Sequence, residues 1–168
     1  KMLIVGSGAI GSEFAYFYGT MGTEVTLIEY MDRIVPAEDD EVSKELAKSF
    51  KKRGIKVMTN SEVTAVDTSG DGVVATVKTK KGAQKLEADI MLSAVGVVPN
   101  TEDIGLNAVG VKAEKGKILV DEWYKTNVDG IYAIGDITHG PALAHVASAE
   151  GIICVEKIAG EHPEPLNY

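Results

Sequence analysis

Residues 2–14 read MLIVGSGAIGSEF. Four apolar residues run into three glycines, and the glycines lead into a segment of helical periodicity. Gly6, Gly8 and Gly11 stand at G-x-G-x-x-G spacing. Alone, that spacing is weak, because glycines cluster by chance. Its context decides the fold: a strand before it, a helix after it, and a second strand closing a unit of about 30 residues, the size of one βαβ crossover. Each glycine has a physical task in such a turn. Gly6 permits the tight bend off the strand, Gly8 lets a pyrophosphate approach the backbone, and Gly11 lets the helix pack closely on the sheet.

Working outward, the periodicity predicts a helix over residues 9–21. Ile10, Phe14, Phe17, Tyr18 and Met21 would form its one apolar face, and Gly22 would close it. Strands are expected at residues 2–5, 24–29 and 55–58. Between the last two, residues 38–53 read as a helix with Val42, Leu46 and Phe50 on the buried side. Its acidic start and basic end both suit the helix dipole. Residues 60–89, broken by Gly-Asp-Gly and Lys-Gly turns, read as an antiparallel meander. Residues 90–95 read as a buried strand ending at Gly96. Beyond Pro99 the texture changes to loop, with short strands expected at residues 117–120 and 131–134 and a helix at 142–159. The expected architecture is α/β: a Rossmann-like dinucleotide-binding domain with a meander insert over residues 1–96, then a second domain over residues 97–168.

Bulk properties narrow the function. The 168 residues are 45% hydrophobic and 25% charged, the composition of a globular protein. A net charge of −8 argues against nucleic acid or an anionic membrane as the main partner. An anionic cofactor stays open, because helix N-termini bind phosphate without lysine. Cys154 is the single cysteine, which forbids an intrachain disulfide and reads as a packed core thiol. No apolar run is long enough to span a bilayer, and no signal peptide is expected. The chain enters its first strand directly from Lys1, which reads as a cut fragment.

Three acids are candidates for ligand contact. Glu29 ends the second strand about 20 residues past the glycines, where a carboxylate can accept both ribose hydroxyls of an adenosine and repel a 2′-phosphate. No arginine replaces it, and the nearest is Arg33, so the expected cofactor is NAD, not NADP. The plain alternative for Glu29 is a solvated charge at a strand end. Glu13 lies in the first turns of the helix; spacing alone favours simple dipole stabilisation over a carboxylate directed towards a nicotinamide. Asp136 follows Gly135 at the end of TNVDGIYAIGD, residues 126–136, a position suited to accepting a ligand hydroxyl at a strand's carboxyl end. The alternative there is a turn or capping aspartate.

Five segments, IVGSGAIGSEFA, VTLIEYMDRIVP, LSAVGVVPNTE, TNVDGIYAIGD and LAHVASAEGI, occur in the order and spacing of the flavin-dependent pyridine nucleotide–disulfide oxidoreductases. The resemblance covers essentially the whole chain. It implies that residues 1–96 match the family's NAD domain and residues 97–168 the second half of its FAD domain. By resemblance, Gly6, Ser7, Gly8, Ala9, Ile10 and Gly11 hold the NAD pyrophosphate and Glu29 the adenosine ribose. Val63 lies towards the adenine and Gly96 near the nicotinamide. Glu13 matches an acid that pairs with a lysine beside the flavin. Asp136 matches the residue on the flavin's ribityl chain, and Ala142, Leu143, Ala144 and His145 the backbone stretch under the isoalloxazine. The Leu-Ala-His segment resembles members that oxidise dihydrolipoyl groups more than glutathione or mercuric reductases.

Two departures are visible. Val97 stands where the family often has arginine, and Ala142 where methionine usually precedes Leu-Ala-His. The family's paired redox cysteines, its histidine–glutamate base and its FAD-phosphate glycines have no counterpart in this sequence. His139, His145 and His162 read as structural. No catalytic residue or metal ligand is therefore assigned. The expectation is an NAD(H)-binding chain without turnover, from a cytoplasmic homodimeric flavoenzyme whose FAD is absent from this chain alone. A stand-alone NAD(H)-binding or sensing module is the competing class, but it would have no use for Asp136 or Leu143–His145.

Overall fold

The computed structural model describes all 168 residues, which divide into two compact units, Lys1–Val97 and Val98–Tyr168. Unit 1 contains β1 (Met2–Val5), α1 (Ala9–Thr20), β2 (Val25–Ile28), α2 (Asp40–Lys52), β3 (Lys56–Met58), β4 (Glu62–Asp67), β5 (Val73–Thr79), β6 (Gly82–Ala88) and β7 (Ile90–Ser93). Four strands form a parallel sheet in the order β3-β2-β1-β7. The consecutive strands β4, β5 and β6 form a separate antiparallel sheet, with a register shift between Val63 and Ala65.

Strand alternation sorts the core into two layers. Met2, Ile4, Val25 and Leu27 pack with Ala15 of α1 and Phe50 of α2. Leu3 and Ile28, pointing the other way, pack with Ala75, Val77 and Ala88 of the antiparallel sheet. Both faces of β1 and β2 are thus covered, which is why β1 is continuously apolar and β2 is interrupted only by Thr26. Ile90–Ser93 forms the sheet edge instead: Ile90 is exposed and Met91 and Leu92 are half-buried, so the expectation of a buried strand is corrected.

The helix expected at residues 9–21 forms, but it turns the opposite face inward. α1 packs through Gly11, Ser12 and Ala15, and a Cβ on Gly19 would lie 3.0 Å from Ile55. Small residues at 11, 15 and 19 recur every four positions and let the helix approach its neighbours. Ile10, Phe14, Phe17 and Met21 are exposed, leaving an apolar stripe on the outside of α1; of the expected face only Tyr18, half-buried, packs against the core. In α2, Asp39 caps the helix by accepting from Glu41 N–H at 2.8 Å. Its buried stripe is Ser43, Leu46, Ala47 and Phe50; Val42, one position off that stripe, is exposed.

Unit 2 holds β8 (Ala113–Glu114), β9 (Lys117–Ile118), a 3₁₀ turn at Gly135–Ile137 and α3 (Ala144–Ile158), around a small core of Val111, Ile118 and Ala133. Residues 131–134 are not a strand. A single bridge pairs Lys125 with Tyr132, and Thr126 N–H donates to Ile131 O and Ala133 N–H to Tyr124 O. A strand needs a continuous ladder, and here a tight return of the chain supplies only these isolated bonds.

Candidate functional site

At the carboxyl ends of β1, β2 and β7, unit 1 opens a cleft of about 440 Å³. Its lining brings together Gly6, Ser7, Gly8, Glu29, Val63 and Gly96, six residues singled out from sequence across 90 positions. Tyr30, Pro36, Ser61, Glu62 and Val95 also line it and were not anticipated. An exposed aromatic directly after the strand-ending acid was the one available signal, at Tyr30. Among the lining residues are two acids and no Lys or Arg. Ala9, Ile10, Gly11 and Glu13 sit on the first turns of α1, with Gly11 buried and the other three exposed.

The glycine turn is built by two close approaches. Gly6 adopts φ +92°, and a Cβ there would lie 2.4 Å from Ala94 O. A Cβ on Gly11 would lie 1.9 Å from Gly6 O. Both are required by the protein itself. Gly8 is different. It is the N-cap of α1 with φ −62° and makes no side-chain cap, and a Cβ there would meet no protein atom within 4 Å. The fold places no demand for glycine at position 8, so the clearance serves whatever enters the cleft. The first N–H groups of α1, which follow Gly8 directly, have no intrahelical partner, an arrangement suited to an anion.

Glu29 is not a solvated charge at a strand end. It is only 6% exposed and accepts three hydrogen bonds. Ser7 N–H and Ser7 Oγ donate to Oε2 at 2.8 and 2.6 Å, and Met31 N–H donates to Oε1 at 2.8 Å. Ser7 is itself fully buried, and its carbonyl accepts from Ser12 Oγ at 3.0 Å and from Val35 N–H at 2.9 Å. Val35 is held at φ +41°, a left-handed conformation that costs a β-branched residue about 1–2 kcal/mol. That strain sits where the chain after β2 folds back onto Ser7. Arg33 lies outside the cleft lining, its guanidinium 3.3 Å from Asp40 and donating to Pro36 O at 3.2 Å.

The remaining sequence candidates fall in unit 2. Asp136 is exposed on the 3₁₀ turn, and Ala142, Leu143, Ala144 and His145 are exposed at the start of α3, with Leu143 as N-cap. What sequence reasoning missed is Glu150. This carboxylate is 1% exposed and accepts from Gly135 N–H at 2.6 Å and from the Tyr168 hydroxyl. It thereby pins the backbone immediately before Asp136. Cys154 is buried, and burial pushes its thiol pKa up, as expected of a packed and unreactive cysteine.

Comparison with known proteins agrees on one lineage. The family model described as pyridine nucleotide-disulphide oxidoreductase matches residues 1–151. A dihydrolipoyl dehydrogenase of Corynebacterium glutamicum is 50% identical over 170 residues, covering 99% of this chain and 36% of that protein. Its counterpart in Rhizobium etli is 49% identical, covering 95% of this chain and 34% of that protein. Among solved structures, LpdA from Mycobacterium tuberculosis superposes with a TM-score of 0.86 at 34% identity, over 99% of this chain and 36% of that one. The chain spans about a third of the length of the curated relatives it matches. With a family model covering most of its residues and relatives near half identity, the chain belongs to the pyridine nucleotide-disulphide oxidoreductases.

Proposed function

We propose that residues 1–96 form the NAD(H)-binding domain, and residues 97–168 the second half of the FAD domain, of a dihydrolipoamide dehydrogenase. That longer enzyme would oxidise dihydrolipoyl groups through a redox disulfide and FAD and reduce NAD⁺. The observation that carries the reading is Gly8: an N-cap glycine that the fold itself does not require, lining a cleft at an uncapped helix N-terminus. A pyrophosphate there would meet free N–H groups and a backbone with no Cβ in the way.

The other roles follow around it. Gly6, Gly8, Ala9, Ile10 and Gly11 hold the pyrophosphate, while Ser7, whose N–H and hydroxyl both go to Glu29, serves through that carboxylate; Glu29 holds the adenosine ribose, Val63 the adenine side and Gly96 the nicotinamide end. The preference for NAD over NADP rests on a lining with Glu29 and Glu62 and no cation, and on Arg33 being committed to Asp40 and Pro36. A 2′-phosphate would enter a field of its own sign. In unit 2, Asp136 is assigned to the ribityl chain of FAD, and Ala142–His145 to the backbone beside the isoalloxazine. FAD supplies two-electron transfer between thiols and nicotinamide. Asp136, exposed and anchored through Gly135, holds out a free acceptor for a hydroxyl, as that assignment needs. Glu13 would take its place beside the flavin with a lysine partner. The longer protein would be a cytoplasmic homodimer serving the lipoyl domains of 2-oxo acid dehydrogenase or glycine cleavage complexes.

A stand-alone NAD(H)-binding or sensing module explains the cleft equally well but gives Asp136 and Leu143–His145 no task. A related flavin disulfide reductase or NADH oxidase would use both.

Fluorescence titration of the chain with NADH and NADPH tests the reading. NADH is expected to bind at least about tenfold more tightly, a difference of about 1.4 kcal/mol. NADPH binding as tight as NADH overturns the specificity. In a separate assay the chain is expected to release no NADH from dihydrolipoamide and NAD⁺, since Cys154 alone cannot form the intramolecular disulfide. Measurable turnover overturns that expectation.

A further inference from the structure

Glu29 is doubly held by one neighbour. A carboxylate offers about four acceptor positions. Both Ser7 donors go to Oε2, one from the backbone and one from the side chain, so that oxygen is saturated. Met31 N–H takes one position on Oε1. One position remains, on Oε1. The carboxylate is therefore fixed in a single orientation and can accept one further hydroxyl, where a freely rotating acid could bridge two.

Ser7 cannot take part directly. It is fully buried, and its N–H, Oγ and carbonyl are all committed, the last to Ser12 and Val35. Its hydroxyl has no structural partner other than Glu29. We propose that Ser7 is the positioning residue for nucleotide specificity: its hydroxyl locks Glu29 with Oε1 as the single free acceptor, for one ribose hydroxyl of the adenosine. The inference rests on the NAD(H) reading of the cleft.

The consequence is a specific pattern of loss. Ser7→Ala keeps the backbone N–H and removes one of the two bonds on Oε2. The carboxylate then samples orientations in which Oε1 is turned away, and apparent affinity falls with the competent fraction. NADH loses its hydroxyl acceptor. NADPH, which presents a phosphate to the same place, loses nothing and is repelled less.

Titrations of NADH and NADPH into the chain and its Ser7→Ala, Glu29→Ala and double variants provide the test, with thermal melts to confirm folding. Ser7→Ala is expected to weaken NADH by about tenfold, the scale of one hydrogen bond to a charged group, and to leave NADPH within about twofold of the unsubstituted chain. In the Glu29→Ala background the same substitution is expected to change NADH affinity less than about twofold. Ser7→Gly, which also lacks the hydroxyl, replaces Ser7→Ala if the latter does not fold. Three results overturn the proposal: unchanged NADH affinity in folded Ser7→Ala, an equal loss for both nucleotides, or an undiminished loss when Glu29 is already gone. The equal loss would mark Ser7 as a structural element of the turn. If the unsubstituted chain binds neither nucleotide, the NAD(H) reading itself falls, a result distinct from the other three.

Discussion

Gly11→Ala is expected to unfold the glycine turn and abolish NADH binding. The new Cβ would lie 1.9 Å from Gly6 O and 3.0 Å from Gly6 C, and both are backbone atoms that no rotamer change can move. Relief requires α1 to retreat from β1. That retreat would open the contacts of Ala15 with the core and shift Ser12, whose hydroxyl holds Ser7 O. Overpacking against backbone costs about 3 kcal/mol, equivalent to a fall in melting temperature of roughly 10 °C or more. Gly8→Ala is the control. Its φ of −62° suits any residue and its Cβ would meet nothing, so stability is expected within about 1 kcal/mol of the parent. NADH affinity is nevertheless expected to fall more than about tenfold, because the methyl occupies the space proposed for the pyrophosphate. Melting curves and titrations on the two variants separate the turn's architecture from its ligand clearance. A Gly11→Ala chain with parental stability, or a Gly8→Ala chain with parental affinity, contradicts the geometry.

The same glycines show how far the sequence could be read. Their spacing, with strand and helix around it, places β1, α1 and β2 correctly. Periodicity failed on which side of α1 faces inward. Ile10, Phe14, Phe17 and Met21 form a regular apolar stripe, and hydrophobic burial alone would turn it inward. Close approach won instead, because Gly11 and Ala15 allow the helix nearer to the sheet than a row of large side chains could. A helix with two regular faces is ambiguous in one dimension. Steric contact with Gly6 O resolves it, and that contact exists only in the folded chain. Within the cleft, Gly6, Gly8 and Glu29 were legible because their chemistry has a fixed spacing. Pro36 and Ser61 were not, since loops bring them there. Ser7 was legible by resemblance as a residue of the pyrophosphate loop but not as a partner of Glu29; its two bonds to Glu29 span 22 residues and leave no local mark. The supposed strand at residues 131–134 failed for a related reason: apolar, β-branched residues look alike whether or not a neighbouring strand completes their hydrogen bonds.

Glu150→Ala is expected to be the most damaging single substitution in unit 2. The carboxylate is 1% exposed, and removing it leaves Gly135 N–H without its acceptor, while the Tyr168 hydroxyl can turn to Tyr124 Oη. The orphaned backbone N–H costs about 1–3 kcal/mol, so a loss of roughly 2 kcal/mol is expected. Gly135 at φ +73° would also lose the bond that fixes the backbone ahead of Asp136. Glu150→Gln is expected to be milder, about 1 kcal/mol. The amide oxygen can serve Gly135 N–H, while its NH₂ group donates to Tyr168 Oη, which can accept by rotating its proton towards Tyr124 Oη, 3.2 Å away. The hydroxyl can reverse its role and the backbone N–H cannot, so the order of the two variants follows from donor chemistry. Equal losses for Ala and Gln would show that volume, not hydrogen bonding, governs the site. The same network predicts an alkaline limit. Desolvation, followed by the hydrogen bond to Glu150, pushes the Tyr168 hydroxyl pKa well above its ordinary value. Above pH of about 10 the unfolded chain ionises this tyrosine while the folded chain keeps it protonated. The unfolded state then binds fewer protons, and stability falls as pH rises. Denaturant melts between about pH 8 and 11 are expected to show a slightly steeper decline for the parent than for Tyr168→Phe, the difference being small because Tyr168 is 60% exposed. Parallel curves would mean that the Tyr168 hydroxyl ionises as readily in the folded chain as in the unfolded one.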